Sequence, residues 1–178
     1  MEVLQDLTVE ELKTLLGEYG EKPFHAAQIF RGLANGKKIS ELTDISKALR
    51  ENLLERFCNE PIETIGKKTS KADGTEKYLF RLHDGNVIEG VLMKYKYGNT
   101  QCVSTQVGCR MGCKFCASTL GGLIRNLTAG EIAAQIYAVN RLIGGNTDKR
   151  AVTNAVLMGS GEPLDNYDNV IKFLDNIS

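Results

Sequence analysis

The eight residues Cys109-Arg-Met-Gly-Cys113-Lys-Phe-Cys116 constrain this chain more than any other stretch. Three thiols at the spacing C-x3-C-x2-C lie close enough along the backbone to wrap one small inorganic centre. Thiolates are soft ligands that select zinc, copper(I) or iron–sulfur clusters, and such clusters usually take four cysteines. A local supply of three leaves a four-iron cluster with one iron lacking a protein ligand, the arrangement of a site that binds and activates a substrate. Two other readings compete. Structural zinc prefers paired ligands at C-x2-C or C-x4-C and here needs Cys102 or His83 as its fourth. A disulfide framework suits small secreted domains, whereas this chain opens on Met-Glu-Val with no apolar signal segment.

The remaining 170 or so residues must therefore build a scaffold for that loop, and their composition allows it: 178 residues in all, 42% hydrophobic, 25% charged, net charge zero. No apolar run approaches the ~20 residues needed to span a bilayer, so a soluble, cytoplasmic protein without membrane contact is expected. A neutral balance gives no support to bulk electrostatic attraction for nucleic acid. Any such contact rests on local patches such as Lys67, Lys68 and Lys71, which read equally well as a solvated loop.

Residues 1–60 have helical periodicity. Thr8-Val-Glu-Glu11 is a capping box with Leu7 and Leu12 placed as a hydrophobic staple, and Leu12, Leu15, Leu16 and Tyr19 continue one face up to Gly20. Pro23 suits a first helical turn, followed by Phe24, Ala27 and the apolar run to Leu33, with a stop near Gly36. Asp44 is a candidate N-cap for a third helix through Ile45, Ala48, Leu49, Leu53 and Phe57. From residue 61 the period becomes strand-like. Residues 62–65, 77–82 and 87–93 are short β-prone runs, and Asp84-Gly85 is a hairpin signal between the last two, so residues 61–98 are expected to form a small antiparallel extension. In the third run Val87, Glu89, Val91 and Met93 share a face, which sets a carboxylate among apolar neighbours. A charge blunting an edge strand explains that equally well.

Residues 99–178 alternate strand and helix as parallel βα units do, giving an α/β fold class overall. Residues 101–106 are expected to form the first strand, with the cysteine loop at its carboxyl end, where such architectures place their chemistry. Thr128-Ala-Gly-Glu131 is a second capping box, opening a helix with Ile132, Ile136, Val139 and Ile143 on its buried side and Gly144-Gly145 as its stop. Residues 151–158 are the second strand. The turn Gly159-Ser-Gly161-Glu162-Pro163 ends it with exposed backbone N–H groups, and residues 167–177 supply the next helix. Cys58, after an apolar helix, reads as a buried small hydrophobe.

Three linked motifs carry a resemblance. The cysteine spacing with Phe115 before the last cysteine resembles the signature of radical S-adenosylmethionine enzymes. Together with Cys102-Val-Ser-Thr-Gln-Val-Gly-Cys109, Arg125-Asn126-Leu127-Thr128 and Met158-Gly-Ser-Gly161-Glu162-Pro163-Leu164, it resembles the RlmN/Cfr family of RNA adenine methyltransferases. The resemblance implies a helical accessory domain that engages RNA through the segment from Phe24 to Phe30, a β extension, and the first units of a partial barrel. It covers essentially the whole sequence but only the first half of a family member, so later strands and a distal methyl-carrying cysteine are expected outside it. It implies a 4Fe-4S cluster held by Cys109, Cys113 and Cys116, with S-adenosylmethionine on the open iron and its amino group at Gly161 and Glu162. It further implies Glu89 as proton acceptor and Cys102 as the thiol that resolves a protein–RNA adduct through a transient disulfide with the carrier. The implied substrates are 23S ribosomal RNA and transfer RNA, methylated at adenine C2, and the implied electron donor is a flavodoxin or ferredoxin, with a monomeric enzyme. Pro163 and the segment 145–150 favour this branch over the C8-methylating Cfr branch, which generally has Ala and no insertion there. A non-catalytic, metal-stabilised RNA-binding fragment is the alternative of another class.

Overall fold

The computed structural model describes residues 1–177. Its first third is helical: α1 (Val9–Glu18), α2 (His25–Ala34) and α3 (Lys47–Arg56). The capping box at the start of α1 forms as the sequence requires, with Thr8 Oγ1 accepting from the Glu11 N–H and the Glu11 carboxylate accepting from the Thr8 N–H at 2.7 Å. The third cap falls elsewhere than expected. Ser46, not Asp44, accepts from the Leu49 N–H, because Ser46 has the extended backbone that aims its hydroxyl at the first turn. Likewise Pro23 lies in the turn ahead of α2 rather than in its first helical positions. Leu4, Leu12, Leu16, Ile29, Leu49, Leu53 and Phe57 close one apolar cluster among these helices. Each fully buried side chain of this size contributes roughly 1.5–3 kcal/mol.

A five-stranded sheet follows, in the order β1-β2-β3-β4-β7, from β1 (Ile62–Thr69), β2 (Glu76–Leu82), β3 (Val87–Tyr95), β4 (Gly98–Cys102) and β7 (Val152–Val156). The first four pair antiparallel and only β4 and β7 pair parallel, with Cys102 level with Val156 at the carboxyl ends. Helix α4 (Ala129–Leu142) and helix α5 (Tyr167–Ile177) cover one face, where Tyr78, Phe80, Ile88 and Leu92 meet Ile132, Val139 and Phe173 in the main core. The opposite face is open. Since β3 lies between β2 and β4, Glu89 is not on an edge, which removes the edge-strand explanation for its charge. It stands on the open face with Lys77 Nζ 2.8 Å from its carboxylate, while its neighbours Ile88 and Gly90 are buried on the other face.

The expected single strand over 101–106 is two. Strand β4 ends at Cys102, and β5 (Gln106–Gly108) pairs antiparallel with β6 (Leu123–Asn126) in a separate ribbon. Side chains intervene at the break: the amide of Gln135 on α4 accepts from the Ser104 N–H and donates to the Ser104 carbonyl, both at 2.9 Å. Those two backbone groups are therefore lost to a ladder and the chain turns out of the sheet. Among the described residues no helix is long and apolar enough to cross a membrane.

Candidate active site

The carboxyl ends of β4 and β7 lie side by side, and the chain leaves each of them into one of the two motifs that the sequence singles out. Residues 103–106 form the seam between them, and their backbone groups are paired across it. The Val103 N–H donates to the Val156 carbonyl, and the Val103 carbonyl accepts from Gly159 N–H. Thr105 and Gln106 N–H both donate to the Ser160 carbonyl, at 2.9 and 3.1 Å. The Thr105 carbonyl accepts from the Leu127 N–H and from the side-chain amide of Asn166. Ser104 Oγ donates to the Glu89 carbonyl at 2.7 Å and accepts from the Ser160 N–H at 2.9 Å. One hydroxyl thus joins the strand that carries Glu89 to the turn that carries Gly161 and Glu162.

That turn fits only because it is built from glycine where it touches the seam. A Cβ at Gly159 falls 2.6 Å from the Val103 carbonyl oxygen and 2.7 Å from the Ser104 nitrogen, and Gly161 combines φ +100° with an equally close approach to Gln106. The exposed backbone N–H groups expected of this turn from the sequence are not what the fold leaves: those of Gly159, Ser160 and Glu162 donate inward, to the Val103 carbonyl, Ser104 Oγ and Gln106 Oε1, because the glycines let the turn press against the seam. Glu162 caps the short 3-10 turn at 163–166 through one carboxylate oxygen, which accepts from the Leu164 N–H at 3.1 Å. Its charge suits an ammonium donor.

Cys102 is buried, level with Val91 of β3 and two residues from the Ser104 contact to Glu89. Burial pushes its thiol upward, opposed by the Met158 N–H that points at the sulfur. Cys58 is also buried, and burial lifts it to about 11. All five cysteines are free thiols.

The cysteine loop runs from the β5–β6 ribbon. Cys109 N–H donates to the Gly122 carbonyl at 3.0 Å, closing the loop at its base, and Cys116 N–H donates to the Cys113 carbonyl. Cys109 is buried, Cys116 half-buried and Cys113 exposed. Among the described residues no three His, Cys, Asp or Glu side chains are gathered tightly enough to hold a metal. The donor set itself fits a soft centre: three free thiols within one loop that carries no carboxylate or imidazole. Phe115, Leu120, Met158 and Leu164, on or beside the loop and the turn, are large apolar side chains left exposed. His83, the alternative zinc ligand, packs instead with Nδ1 3.4 Å from Glu131.

Sequence reasoning misses the residues that hold this arrangement together: Ser104, Gln106, Gln135 and Asn166. All four are buried polar side chains. The available signal was the polar run Ser104-Thr105-Gln106 directly after an apolar strand, and a glutamine at the i+3 position from Ile132 on the buried stripe of α4. Arg125, quoted above only as part of a motif, forms a two-pronged pair with the fully buried Glu131 at 2.7 and 2.8 Å and reaches Asp84 at 2.6 Å.

Comparison with known proteins shows what the whole chain is similar to. Residues 3–58 match the family model for the ribosomal RNA large subunit methyltransferase N-terminal domain. A protein of Clostridium perfringens named "Probable dual-specificity RNA methyltransferase RlmN" is 52% identical over 180 residues, covering 100% of this chain and 50% of its own length. Over its whole length the chain matches one half of an RlmN protein. A Geobacillus thermodenitrificans protein of the same name is 54% identical over 174 residues, covering 96% of this chain and 47% of its own. A crystal structure of a radical SAM methyltransferase from Sphaerobacter thermophilus superposes with a TM-score of 0.90 at 39% identity, covering 99% of this chain and 52% of that one. The chain thus spans about half the length of the RlmN relatives it matches. The mixed α/β fold of helices, antiparallel strands and first βα units is that of a radical SAM methyltransferase in part.

Proposed function

We propose that this chain is the cofactor-binding half of a radical S-adenosylmethionine methyltransferase that modifies C2 of adenosine in 23S ribosomal RNA and in transfer RNA beside the anticodon. The observation that carries the reading is the seam at residues 103–106, which ties the base of the cysteine loop, the glycine turn, Cys102 and the Glu89 strand to the carboxyl ends of two parallel strands. Cys109, Cys113 and Cys116 are the residues that hold a 4Fe-4S cluster, and Gly161 and Glu162 receive the amino group of S-adenosylmethionine. Bound together, the two supply a carbon-centred radical, the chemistry needed at an adenine carbon that is too poor a nucleophile for ordinary methyl transfer. Glu89 takes a proton on the open face of the sheet, where its carboxylate meets solvent and Lys77. Cys102, which lies at the carboxyl end of β4, resolves the protein–RNA adduct. Residues 1–60 serve as the RNA-engaging domain, 61–98 as the extension and 99–178 as the incomplete barrel, in a cytoplasmic enzyme reduced by a flavodoxin or ferredoxin.

The test is made in a family chain of full length containing these residues, supplied anaerobically with reductant, S-adenosylmethionine and unmodified RNA. Mass spectrometry of digested RNA should show 2-methyladenosine. Glu89→Gln should leave cofactor cleavage intact and block methylation, at a stability cost below about 1 kcal/mol because the Lys77 pair is exposed. Full methylation by that variant, or methylation at C8, contradicts the reading.

A further inference from the structure

Arg110 is the second residue of the cysteine loop, and it reaches away from the thiols. Its guanidinium donates through Nε to Asp165 Oδ1 at 3.1 Å, with a second, shorter bond from its terminal nitrogen to the same oxygen. The other oxygen of Asp165 accepts from Gln106 Nε2 at 2.9 Å. Gln106 is fully buried and uses its whole amide: Nε2 also donates to Asn126 Oδ1 at 2.8 Å, and Oε1 accepts from the Glu162 N–H at 2.9 Å. The path therefore runs from the loop, through Asp165 and Gln106, to the backbone of the residue proposed to receive the cofactor's amino group. Asp165 returns to the same place by a second route, since its own N–H donates to the Glu162 carbonyl at 3.0 Å.

We infer that Arg110, Asp165 and Gln106 form a latch that fixes the 159–163 turn relative to the cysteine loop, so that the position of the loop sets the position of the amino-group subsite. The inference rests on the function proposed above for its purpose, but its geometry stands independently. These are positioning residues. The Arg110 end is exposed while the Gln106 end is buried, so the latch can be released from outside without leaving a hole in the core. Charge-assisted hydrogen bonds in such a chain depend on one another, so removal of either charged partner should release the whole latch.

The experiment measures amide hydrogen exchange of this chain in its metal-free form, then S-adenosylmethionine binding after anaerobic cluster assembly. In Arg110→Ala and in Asp165→Ala the Glu162 amide should exchange about tenfold faster, the scale of one hydrogen bond to a charged group, while α4 amides keep their protection. The double variant should be no worse than the worse single one, and Arg110→Lys should recover part of the protection. With the cluster assembled to wild-type iron content, the change that S-adenosylmethionine produces in the cluster's paramagnetic resonance signal should require about tenfold more cofactor in Arg110→Ala. Unchanged Glu162 exchange in the single variants overturns the latch, as does a loss of protection spread evenly over α4, or simple additivity in the double variant. If the wild-type chain assembles no cluster, the proposed function fails, and the exchange data alone still decide the latch.

Discussion

A Cβ at Gly108 falls 2.0 Å from the Gly122 carbonyl oxygen, and the residue sits at φ +76°. Both facts point to the base of the cysteine loop, where Cys109 N–H meets that same carbonyl. Gly108→Ala must therefore pay for left-handed backbone and for a backbone clash that no rotamer change relieves, at a cost of about 1–3 kcal/mol or more. Urea denaturation should show this as a lower midpoint, and thiol labelling should show Cys109 losing its burial. An unchanged midpoint contradicts the assigned geometry. Such single-residue requirements are only partly legible in the sequence. Gly159 and Gly161 announce a turn by their spacing, but the atoms that forbid a side chain there belong to Val103, Ser104 and Gln106, more than fifty positions away in the chain.

At the scale of elements, the polar contacts around α4 decide which strands join which sheet. Glu131 is both the reciprocal partner in the Thr128 capping box and the buried anion that Arg125 of β6 satisfies. Arg125 in turn holds Asp84 in the β2–β3 hairpin turn, so one guanidinium links the hairpin, the β5–β6 ribbon and the helix. Arg125→Ala leaves Glu131 buried without its cation. The expected loss is about 3–5 kcal/mol, read from denaturant unfolding, with Glu131→Gln in the same background recovering part of it. A loss below ~1 kcal/mol would mean that the pair contributes no more than a surface bridge. The capping boxes and the Asp84-Gly85 hairpin could be seen in advance because their determinants lie within four residues. The break after Cys102 could not, because Gln135, Asn166 and Ser160 supply it from 31 to 61 positions away.

At the scale of the whole molecule, the N-terminal helices are fastened to α4 and α5 largely by charge. Arg141 of α4 donates to the Gly36 carbonyl and pairs with Glu41, Lys172 of α5 meets Glu11 at 3.0 Å, and Asp6 accepts from the Gly130 N–H. The Arg141 hydrogen bonds hold Glu41 down to about 2 from its usual 4.5. For Asp84, burial favours the neutral form, yet Arg125 and Asn86 outweigh it and bring the carboxyl to about 2 from 3.8. Both folded-state values are depressed, so both groups contribute stability above pH 4.5 and lose it as pH falls toward 2. Asp6, raised by burial, works the other way and softens the decline. The urea midpoint should fall across that window, and fall less in Glu41→Gln. A flat profile in the wild type would mean that these charges do not clamp the helices to α4 and α5.

The proposed chemistry depends first on the three thiols of the cysteine loop. Anaerobic reconstitution with iron and sulfide, followed by metal and sulfide analysis and the visible absorption spectrum, tests it most directly on this chain. About four iron and four sulfide per chain are expected, with loss of the absorbance in Cys109→Ala, Cys113→Ala and Cys116→Ala and full retention in Cys58→Ala and Cys102→Ala. Zinc in place of iron, or loss of the cluster in a folded Cys102→Ala chain, would contradict it.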